Sequence, residues 1–163
     1  MVSVRAAALA LVWLMAGCDS GSGGPAAPAA VPPPAVPRAE PFDAGPVRTA
    51  AEYLAEPRFA GADLARGELL ALACAACHKF KAGEGTLVGP NLNGVFGRPA
   101  ATVSGFAYSP ALAASQLTWT PGSLEAWLTE PTGFVPGTTM AFAGYRSAAD
   151  RRDLIAYLLR VTQ

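Results

Sequence analysis

Apolar residues along this 163-residue chain fall into three stretches of helical spacing, separated by long runs rich in glycine and proline. Asp63 stands before the first stretch, which runs through Leu64, Gly67, Leu70 and Leu72 to Cys74. Its short carboxylate suits a helix N-cap, and Leu69 and Leu72 are also available to pack. Thr120-Pro121 opens the second, because proline is pre-set for a first helical turn and Leu124, Trp127 and Leu128 then recur at helical spacing. The third begins at Ser147, with Asp150 three positions on as a variant capping box. It continues through Leu154, Ile155, Leu158 and Leu159 to about Val161. Nothing between them alternates as a strand would. The pattern predicts an all-α domain of about 100 residues, with three or four short helices and long connections. Such a domain lacks an adequate core of its own, so something large and apolar is expected to complete it.

Upstream the pattern changes. Arg5 precedes an apolar run from Ala6 to Ala16 that ends in small residues before Cys18, the arrangement of an export signal over residues 1–17. The run is too short to cross a bilayer as a helix, which takes about 20 residues. Leu14-Met15-Ala16-Gly17-Cys18 resembles a bacterial lipoprotein box, although Met15 stands where that family usually has leucine. The resemblance implies cleavage before Cys18 and a lipid on its thiol. Asp19 resembles the signal that keeps such proteins at the inner membrane. An ordinary secretory signal, with Cys18 incidental, is the alternative. Residues 18–50 read as this anchor plus a linker, since Ser20 to Thr49 offers almost no large apolar side chain. Eight of the chain's 15 prolines lie between Pro25 and Pro46. Such a tether extends at about 3.1 Å per residue where it is polyproline-like. The folded domain is then residues 51–163.

Charge narrows the partners. The formal net charge is +0, and from Ala50 onward nine basic residues face nine acidic ones. That argues against a nucleic-acid surface and against a strongly steered encounter with any partner.

The chemistry lies in Cys74-Ala75-Ala76-Cys77-His78. Cys-x-x-Cys-His is the attachment signal for c-type haem: the two thiols add to the vinyl groups, and the adjacent imidazole becomes the proximal iron ligand. A redox dithiol or half of a zinc site would use the same two cysteines. Zinc, however, needs a second ligand pair, and the chain has one histidine and only Cys18 besides. Met1 and Met15 fall in the expected signal, which leaves Met140 as the one methionine of the mature chain. It lies in Pro136-Gly137-Thr138-Thr139-Met140, on a loop between two helices, and is expected to be the sixth ligand. Elsewhere a lone methionine would read as a flexible core filler. A thioether facing an imidazole favours reduced iron, as suits a carrier late in an electron-transfer chain.

Further stretches resemble the class I cytochromes c of mitochondria and the bacterial periplasm, over roughly Gly61 to Arg160. They are Val88-Gly89-Pro90-Asn91-Leu92, Gly94-Val95-Phe96-Gly97-Arg98, Gly105-Phe106-Ala107-Tyr108-Ser109 and Leu117-Thr118-Trp119-Thr120-Pro121. Val135 to Gly144 and Asp153-Leu154-Ile155-Ala156-Tyr157-Leu158 continue the match. The resemblance implies a class I cytochrome c fold around one covalent haem. Pro90 would accept the free ring N–H of His78, and Tyr108, Ser109, Trp119 and Arg98 would hydrogen-bond the inner propionate. Thr138 would steady Met140, and Gly67 would let the first helix cross the last beside Tyr157. Trp119 as plain core and Arg98 as a solvated charge remain the alternatives.

The chain departs from that family at Thr139, where lysine is common, at Trp127, where a tyrosine usually touches the pocket, and at Leu112, which replaces a polar residue. The family's docking lysines are reduced to Lys79 and Lys81. The expected function is a monomeric single-haem electron carrier and not an enzyme. It would be anchored on the periplasmic side of a bacterial cell membrane and serve a cytochrome bc complex and a terminal oxidase or photosynthetic reaction centre. A haem sensor or weak peroxidase with a dissociable methionine, or a donor subunit dedicated to one membrane enzyme, are the competing readings.

Overall fold

The computed structural model describes residues 46–163. Residues 1–45, which take in the expected signal, Cys18 and most of the linker, lie outside that range. The elements are α1 (Ala50–Leu54), a 3-10 turn (Pro57–Phe59), α2 (Leu64–Ala75), α3 (Pro110–Ala114), α4 (Pro121–Thr129), α5 (Pro131–Phe134) and α6 (Ala148–Val161). Extended structure among the described residues is confined to one isolated antiparallel bridge, Pro99 with Thr118. None of these helices is long and apolar enough to cross a membrane.

The three longer helices start where short polar side chains can satisfy their first amides. Asp63 accepts from the Arg66 N–H, Thr120 from Ser123 and Ser147 from Asp150. The third cap is not a reciprocal box. The Asp150 carboxylate crosses to Arg66 Nε on α2 at 3.0 Å, since an ionised partner on the neighbouring helix binds it more strongly than a backbone amide. Apolar spacing predicts no element between Ala50 and Gly61, yet α1 forms there. Thr49 and Glu52 close a capping box around its first turn, and Tyr53 sinks to 1% exposure.

α2 and α6 form the principal helix contact. On α6, Leu154, Ile155, Leu158 and Leu159 are all buried, the i, i+3, i+4 stripe of a core-facing helix. α2 answers with Gly67, Leu70 and Ala71. At Gly67 the helices are so close that a Cβ would lie 2.8 Å from both Tyr157 Cβ and the Asp153 carbonyl carbon, with the carbonyl oxygen nearer still. Leu69 and Leu72 do not pack: they are 61% and 64% exposed. They sit off the stripe of Gly67, Leu70 and Ala71 that meets α6. Between α2, α4, α6 and the loops the apolar side chains leave a cavity of about 220 Å³.

Candidate functional site

All eleven candidate residues of the folded domain line this cavity: Cys74, Cys77, His78, Pro90, Arg98, Tyr108, Ser109, Trp119, Trp127, Thr138 and Met140. Cys18 lies outside the described residues. The attachment segment is shaped by the end of α2, where the Cys74 carbonyl accepts from the amides of both Cys77, at 3.0 Å, and His78, at 2.9 Å. This tight turn carries two free thiols and an imidazole to one wall. Burial pushes the Cys74 thiol up to about 11, so at neutral pH it is the thiol and not the thiolate.

His78 is fixed from two sides. Its Nδ1 lies 2.7 Å from the Pro90 carbonyl oxygen. A carbonyl can only accept, so the neutral ring carries its proton on Nδ1 and leaves Nε2 with a free lone pair. Burial, which favours the neutral ring, holds the imidazole below its ordinary value against the opposing effect of the Pro90 bond. Beneath the ring lies Gly89, a residue to which the sequence pattern assigns no role. A Cβ there would stand 2.7 Å from Nδ1 and 2.8 Å from Nε2. The Gly89 amide in turn donates to the Cys77 carbonyl at 2.8 Å, closing the loop on the attachment turn.

Asn91 and Asn93 organise the next segment and are also absent from the sequence-based set. Asn91 Nδ2 donates to the Lys81 and Gly85 carbonyls at 2.9 and 3.0 Å, while its Oδ1 accepts from the Asn93 amide at 2.7 Å. Their own carbonyls receive Arg98, from Nη1 to Asn93 at 2.7 Å and from Nη2 to Asn91 at 3.0 Å. Arg98 is thus a partly buried cation tied to backbone, with guanidinium donors to spare. Two extended pieces bring it beside Trp119: the Trp119 amide donates to the Arg98 carbonyl at 3.0 Å, and Gly97 to the Trp119 carbonyl at 2.7 Å. The Tyr108 hydroxyl accepts from the Val103 amide at 3.3 Å. Ser109 accepts from the Leu112 amide at 3.2 Å as the cap of α3. Both hydroxyls keep a proton to donate toward a carboxylate.

The remaining wall is the loop after α5. Gly137 turns the chain at φ +90°, a conformation that favours glycine. The Met140 amide then donates to Thr138 Oγ1 at 3.3 Å. The Met140 sulfur accepts the indole N–H of Trp127 at 3.2 Å. Among the described residues no group of three or more His, Cys, Asp and Glu side chains converges as a metal-binding set, so a zinc site lacks its ligands. An apolar cavity, two thiols and a neutral imidazole on one wall, a thioether also on the lining, and donors for carboxylates fit haem c.

Comparisons with known proteins agree. A family model described as cytochrome c matches residues 64–162. Cytochrome c of Chlamydomonas reinhardtii is 46% identical over 101 residues, 61% of this chain and 90% of that one. The cytochrome c-type cyt cy of Rhodobacter capsulatus is 51% identical over 85 residues, 52% of this chain and 42% of its own length. Among solved structures, cytochrome cH from Methylobacterium extorquens is similar, with a TM-score of 0.55 and 44% identity over 59% of this chain and 96% of that one.

Proposed function

Because this chain belongs to the cytochrome c family and is therefore a haem electron carrier and not an enzyme, we propose that it works as a tethered shuttle whose iron is held by His78 and Met140. Haem c, attached through Cys74 and Cys77, supplies one iron that gains and loses a single electron. The protein's part would be to hold His78 and Met140 in place and to keep water from the pocket. His78 offers Nε2 while Pro90 keeps its ring from turning. Met140 offers a soft sulfur that favours the reduced state. Arg98, Tyr108, Ser109 and Trp119 supply donors for propionate carboxylates, which could not be buried without them. With His78 and Met140 both committed to the iron, no coordination site would be left for a substrate.

The single observation that carries this reading is that His78 and Met140, 62 positions apart in the sequence, line the same cavity as the two attachment cysteines. The test is the ferric holoprotein's near-infrared methionine-to-iron absorption band at neutral pH. We expect it to be present, and to vanish in Met140→Ala with the haem still covalently bound. Absence of the band from the unsubstituted protein refutes the ligation.

How the carrier would reach its redox partners follows from the chain's neutrality. Nine basic and nine acidic residues from Ala50 onward give little electrostatic steering, so a lipid at Cys18 and a proline-rich linker would hold the carrier near its partners, at an effective concentration of about millimolar. The partners proposed are a membrane cytochrome bc complex and a terminal oxidase or reaction centre, on the periplasmic side of the cell membrane. Replacing Cys18 is expected to release the protein from membranes and slow oxidase reduction sharply. Retention on the membrane and strong salt dependence in that variant would count against the tether.

A further inference from the structure

We propose that Tyr145 is a positioning residue, a latch that keeps the Met140 loop closed on the cavity by fastening it to α2, the helix that carries Cys74. The assignment rests on Met140 being an iron ligand. Each polar group of Tyr145 is taken by a different helix. Its hydroxyl donates to the Leu70 carbonyl of α2 at 2.8 Å. Its amide donates to the Leu128 carbonyl of α4 at 2.7 Å. Its own carbonyl accepts from Arg151 Nη1 of α6 at 2.7 Å. The residue before it completes the seat: Gly144 runs at φ +89°, and a Cβ there would stand 2.8 Å from the Thr129 carbonyl carbon and 3.1 Å from the Leu128 oxygen. Only a residue without a side chain lets the loop lie this close on the end of α4. Between this junction and Met140 stands Phe142, part of the cavity wall, whose ring meets the Tyr145 ring edge to face at 5.1 Å and 70°.

Two of the three ties use backbone groups that almost any residue supplies, so what the tyrosine side chain adds is the bond to α2. In an α-helix the Leu70 carbonyl also receives the amide four positions on, which is that of Cys74. The hydroxyl therefore grips α2 one turn before a thiol that carries the haem. With the haem attached, α2 and the iron form one body, and the Tyr145 bond joins the ligand loop to that body at a second point besides the Met140 sulfur. Release of the sulfur alone leaves the loop held at its base. Swinging the loop aside, so that another ligand reaches the iron, also breaks the bond to Leu70. That bond is thus part of the free energy of local opening and keeps the sixth position shut, independently of how stable the whole domain is.

The test is imidazole binding to the ferric holoprotein, followed by loss of the methionine-to-iron band. Tyr145→Phe keeps the ring against Phe142 and removes only the hydroxyl. It is expected to bind imidazole about two- to tenfold more tightly, the factor by which losing one neutral hydrogen bond raises an opening equilibrium. Leu159→Val separates this from global stability, because Leu159 is 0% exposed in the core and is not part of the cavity lining. It should lower the unfolding midpoint and leave imidazole affinity unchanged. Equal affinity in Tyr145→Phe and the unsubstituted protein overturns the proposal, and so does an equal gain in Leu159→Val. Should Tyr145→Phe fail to fold, the unsubstituted reduced holoprotein decides the matter. Its Tyr145 hydroxyl proton is expected as a slowly exchanging resonance with cross-relaxation peaks to α2, and a hydroxyl in rapid exchange without such peaks overturns the latch. If the unsubstituted ferric protein lacks the methionine band altogether, the ligation itself has failed and the latch with it. An unchanged affinity with the band in place removes the latch alone.

Discussion

Replacing Gly89 by alanine puts one methyl group under the proximal imidazole. The new Cβ would meet His78 Cε1 first and stand 2.7 Å from Nδ1 and 2.8 Å from Nε2, so reaching the 3.4 Å of ordinary contact requires the ring to retreat by about 1 Å. It has nowhere to go freely, because Nδ1 is held at 2.7 Å by the Pro90 carbonyl and the Gly89 amide is tied to the Cys77 carbonyl at 2.8 Å. Overpacking of this kind costs about 1–3 kcal/mol, and loosening the imidazole hydrogen bond adds about 1 kcal/mol. Alanine's stiffer unfolded chain returns about 0.4–1 kcal/mol. The net expectation is a loss of about 1–3.5 kcal/mol. Guanidinium unfolding of the ferric holoprotein, followed by the emission of Trp119 and Trp127, measures it. The low-spin ferric resonance should also broaden or split as the ring takes up more than one orientation. An unchanged midpoint with an unchanged resonance would refute the view that Gly89 is the floor of the imidazole site.

Gly67→Ala gains about 1 kcal/mol of helix propensity but sets a methyl against the Asp153 backbone, which cannot yield as a side chain would. A net destabilisation of about 2 kcal/mol is expected by denaturant titration, and an equal or raised stability would show that α2 and α6 can part cheaply. Tyr145 donates its hydroxyl to the Leu70 carbonyl at 2.8 Å, and burial, foremost among the causes, raises its phenol above the ordinary 10.0. The folded state therefore binds this proton more tightly than the unfolded one, so its contribution is whole below about pH 10 and is lost as pH rises through the folded value. Tyr145→Phe should cost about 0.5–1.5 kcal/mol at neutral pH and flatten the alkaline fall in stability; parallel pH curves for the two proteins would contradict this. Arg98→Met strips donors from the Asn91 and Asn93 carbonyls, an expected cost of about 1–3 kcal/mol. It also removes a positive charge from the cavity wall, which should lower the midpoint potential by electrochemical titration.

Much of this protein is written locally. Cysteines three apart with histidine next in line fix the attachment chemistry wherever the turn is placed, because the spacing itself brings two sulfurs and an imidazole to one side of a helix end. Asp63, Thr120 and Ser147 mark three helix starts for an equally local reason: a short side-chain oxygen reaches an amide three residues on. The same rule was available at Thr49 and Glu52, whose spacing signals α1, although too few apolar residues follow to show a periodic face. Packing between distant segments obeys no such local rule. Leu69 and Leu72 have the apolar character of core residues, yet they face outward because α2 meets α6 along Gly67, Leu70 and Ala71. Asp150 leaves its own helix end for Arg66, 84 positions away. The glycine under His78, the asparagines that hold Arg98, and the indole on the Met140 sulfur were decided only when the chain closed around its cavity. Each is a contact whose free energy depends on where other elements come to rest, and side-chain spacing along one element carries no information about that.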